Sequence, residues 1–228
     1  MIKKSPQKPT PLPHNPSLAI YDEFVREAAP DRFQKILARY ELFKMVLDVP
    51  GDIVECGVFK GSGIQTWAKL HKLFKPNNEQ KIVGFDFFEA SRDMDFAHSD
   101  DKRVLDEHAA SWSPRELILS KLAKHEIKNV ELVPGNVVDT TKAYAKKNLG
   151  FRISLLYLDV DNYEGSLAIL KNFYPLISPG GIVAFDEYAY RTYGESDAVD
   201  EYFRGQALRI RTLPWANTPT GYIVKERF

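Results

Sequence analysis

The chain has 228 residues, long enough for one well-buried domain and short for two. Its 31 basic side chains balance 31 acidic ones, with 44% hydrophobic and 27% charged residues, so it lacks the footprint of a nucleic-acid or anionic-membrane binder and should act on a small molecule. No run reaches the roughly 18 apolar residues of a membrane span and no apolar signal region opens the chain; together with a lone cysteine, Cys56, this predicts a cytoplasmic protein.

Residues 1–17 are rich in proline and poor in apolar side chains, which predicts a flexible arm ahead of a single domain over 18–228. A weak helical pattern covers 18–29. Asp31 then caps a helix whose apolar positions Phe33, Ile36, Leu37, Tyr40, Phe43 and Leu47 recur at three- and four-residue steps. From Gly51 the pattern alternates strand and helix. The stretch GDIVECGVFKGSG, Gly51 to Gly63, reads as a strand running into a glycine-rich turn that opens a helix carrying Ile64, Trp67, Ala68, His71 and Phe74. Lys81 to Phe88 is the second strand.

Segment 89–112 is acidic and polar with no clear period, and a connection of that length reads as a substrate lid. Ser113 to Glu116 forms a capping box, and Val130 to Pro134 a third strand. A helix over 140–148, a strand from Ile153 to Asp159, a helix through Leu167 and Phe173, a strand from Gly181 to Asp186 and a helix over 198–203 follow. Leu208 to Leu213 and Tyr222 to Glu226 then read as a hairpin. The whole is an α/β fold, a mostly parallel seven-stranded sheet with a C-terminal antiparallel hairpin and helices on both faces.

In such sheets ligands bind at the carboxyl ends of the strands, and that is where this sequence keeps its acids. Asp86 closes the second strand, where a carboxylate can accept both hydroxyls of a ribose, with Phe87 and Phe88 as apolar walls. Asn136, after Gly135, is placed near an adenine edge. Asp159, Asp161, Asp186 and Glu187 crowd two later strand ends and would raise one another's pKa unless a cation neutralised them. All-oxygen ligands suit Mg²⁺, with Mn²⁺ or Ca²⁺ as substitutes. Alternation along an extended chain lets Asp159 and Asp161 share a direction, so one can ligate while the other removes a proton.

The turn has the form ExGxxxG, Glu55 to Gly61, which resembles the first motif of S-adenosylmethionine (SAM) methyltransferases rather than the dinucleotide fingerprint. With DFFE at 86–89, PGNVVDT at 134–140, LDVDNYEGS at 158–166 and SPGGIVAFDEY at 178–188, the chain resembles the macrocin O-methyltransferase (TylF-type) family of SAM- and metal-dependent enzymes that methylate sugar hydroxyls. The resemblance implies a Rossmann-like class I SAM-dependent methyltransferase fold. It implies Asp159, Asp186 and Glu187 as metal ligands and Asp161 as general base. The glycine-rich motif, with Glu55, Gly57, Phe59, Gly61 and Ser62, would hold the methionine part of SAM beside Asp159. Asp86 would hold its ribose, with Phe87 and Asn136 about the adenosine.

Three departures from the family pattern stand out: Glu187 where a second Asp is common, and Gly63 and Phe87 where serines are frequent. The expected acceptor is a hydroxyl of a sugar or glycosylated metabolite. A phenol or catechol would suit the same chemistry, and a non-catalytic SAM-binding module is the reading from another class. The sequence leaves homo-oligomerisation open. His71 reads as a core or boundary residue, whereas His98 and His108 fall in the lid.

Overall fold

The structure is a computed structural model and describes residues 16–90, 94–96, 98–108 and 112–226. Two helices, α1 (Pro16–Glu27) and α2 (Pro30–Met45), precede the sheet. The expected arm lies outside the described residues up to position 15, and Pro16 and Ser17 open α1 instead. Proline supplies the start of α2 as well: Pro30 is its first residue, Ala29 the cap, and Asp31 sits in the first turn rather than capping.

The remaining elements are β1 (Asp52–Cys56), α3 (Ser62–Phe74), β2 (Ile82–Asp86), α4 (Ser99–His108), α5 (Arg115–Ala123), β3 (Val130–Pro134), α6 (Val137–Lys147), β4 (Ile153–Leu158), α7 (Tyr163–Phe173), β5 (Ile177–Phe185), α8 (Glu195–Tyr202) and β6 (Gly221–Val224). The sheet runs β3-β2-β1-β4-β5-β6, with β6 antiparallel to β5 and every other pairing parallel. Alternation assigns the faces: Ile53, Ile82, Leu155 and Ile182 pack with Leu42, Phe43 and Trp67 on one side. Their neighbours Val54, Val83, Leu156 and Val183 pack with Tyr144, Ile169 and Phe173 on the other. Among the described residues no helix is long and apolar enough to cross a membrane.

Two sequence expectations are corrected. Among the described residues the sheet has six strands, because Leu208 to Leu213 touches β6 at a single bridge, Arg211 to Tyr222, before Pro214, which has no N–H to continue a ladder. Its alternation is nevertheless real, since Leu208 and Ile210 pack into one cluster and Leu213 into the other. The capping box does not form either: α5 starts at Arg115 with Pro114 as its cap and no side-chain bond.

Candidate active site

Strand order reverses between β1 and β4, and the register there brings the carboxyl ends level. Cys56 lies opposite both Phe85 and Leu158, and Leu158 opposite Phe185, so Gly57, Asp86, Asp159 and Asp186 follow in one row. Backbone bonds fasten that row: Gly57 N–H to Phe85 at 2.9 Å, Asp159 N–H to Cys56 at 2.8 Å and Asp186 N–H to Leu158 at 3.0 Å. Above it opens a cavity of about 670 Å³, in the range of a small-molecule site.

The glycine turn forms one wall. Glu55, Gly57, Phe59 and Ser62 line the cavity with Gly63 and Thr66 from the first turn of α3, whose unsatisfied N–H groups favour negative charge. Gly61 is the cap of α3 with φ +85° and stands behind the wall, as does Asn136, whose side-chain oxygen accepts the Val138 N–H at 2.9 Å and caps α6. Val137 takes the place expected for Asn136. At Gly63 a Cβ would lie 1.8 Å from a Glu55 carboxylate oxygen, so a side chain there would have to displace the Glu55 carboxylate.

Glu55 itself is buried and meets Arg39 of α2 at 3.3 Å. Burial pushes the Glu55 carboxyl up to about 7 against the pull of Arg39. The guanidinium stacks 4.6 Å from the Tyr157 ring centroid and 5.6 Å from that of Trp67. Arg39→Lys should lower the melting temperature by roughly 5 °C in calorimetry, because an ammonium keeps the charge and loses the flat stacking surface. An unchanged melting temperature would show that the stack contributes nothing.

Asp86 lines the cavity but is fully engaged. One oxygen accepts the Val58 and Phe59 N–H groups at 2.8 and 2.7 Å; the other accepts the Phe87 N–H at 2.6 Å and the Trp112 indole N–H at 2.5 Å. Burial raises its pKa and these four donors oppose the rise. Phe87 lines the cavity.

The acids form the adjoining wall, where Asp159, Asp161, Asp186 and Glu187 all line the cavity. Ligand oxygens of Asp159, Asp161 and Glu187 lie within 4.8 Å of one another. Asp186 stands beside them with its oxygens taken by the buried Tyr157 hydroxyl and by Lys35 Nζ, the latter at 3.3 Å. The trio that assembles therefore contains Asp161 where Asp186 was expected. The physical reason is local: β4 ends at Leu158, and Asp161 adopts φ +57°, so its direction comes from that left-handed turn and not from strand alternation.

Burial raises Asp159, then Asp186 and Asp161 add to the rise; burial also raises Asp161 and Glu187. Lys35 is pushed down by burial, but Asp186 and Asp159 outweigh this and hold it above its usual value. One Glu187 oxygen is buried without a hydrogen-bond partner among the described residues.

The segment expected to be an irregular lid contains helix α4, and its inner face, Asp101, Val104, Leu105 and His108, lines the cavity. That spacing of three, four and seven is helical, and was hidden because two of the four residues are polar. His108 Nδ1 lies 3.8 Å from Asp161, and its ring lies 5.2 Å from that of Phe59. His98 instead meets the Tyr163 ring edge-to-face at 5.5 Å, and His71 is buried.

A reversed-order, mostly parallel sheet with a glycine turn at its switch point is the fold of the class I SAM-dependent methyltransferases. Within that class the chain belongs to the macrocin O-methyltransferase (TylF) family, whose model matches residues 31–212. It is similar to the 8-demethyl-8-(2,3-dimethoxy-α-L-rhamnosyl)-tetracenomycin-C 4'-O-methyltransferase of Streptomyces olivaceus, 29% identical over 72% of this chain and 70% of that one. The mycinamicin III 3''-O-methyltransferase of Micromonospora griseorubida is 26% identical over 68% of this chain, which spans 61% of that relative's length. Among solved structures, CalS11, a TDP-rhamnose 3'-O-methyltransferase of calicheamicin biosynthesis, superposes with a TM-score of 0.70 at 29% identity, covering 94% of this chain and 87% of that one. The chain is thus an O-methyltransferase that uses SAM.

Proposed function

We propose that the enzyme methylates a hydroxyl of a sugar, in a nucleotide sugar or a glycosylated metabolite, with a divalent cation at the acid cluster. The observation that carries this is the meeting of the glycine turn and the clustered carboxylates in one cavity. The sugar acceptors named for the tetracenomycin enzyme and CalS11 support the acceptor class.

The donor set fits a hard cation: all ligands are oxygen, the carboxyls repel one another, and a buried Glu187 oxygen has no partner among the described residues. Asp159 and Glu187 would hold the ion, with Asp186 beside them. Bound there, the ion supplies Lewis acidity that makes an acceptor hydroxyl easier to deprotonate. SAM supplies the electrophilic methyl on sulfur. Glu55, Gly57, Phe59, Gly61 and Ser62 would seat its methionine end next to Asp159, and Phe87 its adenosine, with Asn136 behind Val137. Ribose hydroxyls would reach Asp86 by displacing the Trp112 indole.

Asp161, the base, takes the hydroxyl proton as the oxygen–methyl bond forms and the sulfur–methyl bond breaks, leaving S-adenosylhomocysteine. The segment over 89–112 acts as the lid, within one domain over 18–228. Incubation of the enzyme with methyl-labelled SAM and a panel of nucleotide sugars, glycosides and catechols tests the acceptor. Transfer to sugar hydroxyls, lowered about tenfold or more by EDTA, is expected; transfer only to catechols, or full activity in EDTA, sinks the corresponding half.

A second test needs no acceptor. Glu55, Asp159, Asp161 and Glu187 are raised in the fold, so the native state binds more protons than the unfolded chain above the ordinary carboxylate range. By linkage the metal-free fold loses stability as pH rises. Its melting temperature should fall between about pH 6 and about pH 8, and Mn²⁺ should restore more of it at the higher pH. A melting temperature that rises with pH, or that ignores Mn²⁺, argues against a cation site.

A further inference from the structure

Helix α4 shows solvent a row of paired charges, Lys102 with Asp106 and Arg103 with Glu107, both four residues apart. On its inner face Asp101 is 1% exposed. A carboxylate that deep needs strong partners, and among the described residues it accepts two backbone hydrogen bonds. One oxygen accepts the Tyr163 N–H at 2.8 Å and the other the Gly194 N–H at 2.9 Å.

The donors occupy telling places. Tyr163 is the first residue of α7, two past Asp161, and Gly194 caps α8 at the end of the segment that starts with Glu187. The other end of that segment is fastened too, since the Glu187 N–H donates to Glu195 at 3.0 Å. Two helix starts with unsatisfied N–H groups are thus served by one negative charge from a third helix. The fit has no slack: a Cβ on Gly194 would lie 2.5 Å from Asp101 and 2.7 Å from the Tyr163 Cβ.

We infer that Asp101 is a positioning residue that locks α4 over the acid cluster and holds in register the two loops carrying Asp161 and Glu187. This rests on the cluster being the site of methyl transfer. Closing α4 and setting the reacting carboxylates then become one event, because the same side chain ties all three segments.

The test compares wild type with Asp101→Ala, Asp101→Asn and, from the outer face of the same helix, Lys102→Ala. Amide exchange by NMR, Mn²⁺ affinity, S-adenosylhomocysteine affinity and melting temperature are measured. Asparagine keeps the size of Asp101 but turns a donor toward an N–H, so it should behave like alanine. Both should speed exchange over 99–108 and at Tyr163 and Gly194 about tenfold or more. Both should weaken Mn²⁺ about tenfold or more, with S-adenosylhomocysteine affinity near wild type and a melting temperature lowered by no more than about 5 °C, since two N–H groups lose their acceptor. Lys102→Ala should change none of these. Unaltered exchange and Mn²⁺ affinity in both Asp101 variants overturn the inference; so does faster exchange spread through the whole sheet with a larger fall in melting temperature. If wild type binds no Mn²⁺, the cation reading alone fails, and exchange at Tyr163 and Gly194 decides the latch.

Discussion

Asp161→Asn is expected to slow methyl transfer by about 100- to 10,000-fold while SAM affinity stays within about twofold of wild type. Asparagine is the informative replacement because Asp161 holds φ +57°, a conformation that Asn tolerates and Ala adopts at a cost. The variant keeps the size and the turn but cannot take a proton. Burial raises this carboxyl, which suits a base that must hold the acceptor proton until release. A rate within tenfold of wild type would remove Asp161 from the chemistry. Since its oxygens also lie close to those of Asp159 and Glu187, Mn²⁺ affinity should be measured beside the rate. A loss of affinity that matches the loss of rate would make Asp161 a ligand instead of the base.

Gly57→Ala should be the most damaging single methyl on the fold. Gly57 has φ +96°, and a Cβ there would lie 1.6 Å from the Asp159 carbonyl oxygen. That carbonyl cannot step aside cheaply, because the Asp159 N–H is bonded to Cys56 in the β1–β4 ladder. Strain and clash together should cost about 4 kcal/mol, a fall of roughly 10 °C or more in melting temperature, or failure to accumulate as soluble protein. Gly150→Ala is the control: its φ is +79°, but no described atom lies within 4 Å of the added carbon, so it should cost only about 1 kcal/mol. A soluble Gly57→Ala protein melting as late as Gly150→Ala would show that the β1–β4 junction yields.

Much of this was legible in the sequence because the sheet is built from short apolar runs that end in chemistry. Ile53-Val54 leading to Glu55 and Gly57, and Leu155 to Leu158 leading to Asp159, declare strand, face and cleft at once. What stayed hidden depends on long-range partners. Asp86 looked free to receive a ribose, and only the fold shows that Val58, Phe59, Phe87 and Trp112 already occupy it. Asn136 looked like a ligand contact, and its oxygen caps a helix. Helix α4 escaped because its inward face holds only two apolar residues, and the buried Asp101 reads as one more solvated acid until Tyr163 and Gly194 are seen to bond it.

The fastening of Asp159 to Cys56 has a consequence for how such an enzyme diversifies. The glycine turn and the loop that carries Asp159 and Asp161 leave adjacent strands, whose spacing of about 4.8 Å is set by backbone hydrogen bonds and is indifferent to side-chain identity. The opposite wall is the ten-residue helix α4, which enters no ladder. Substitutions at Val104, Leu105 and His108 can reshape the space above the acids while the distance between glycine turn and acids stays fixed. On the proposed reading, a change of acceptor would then need substitutions in a single short helix, with the spacing of glycine turn and acids carried over.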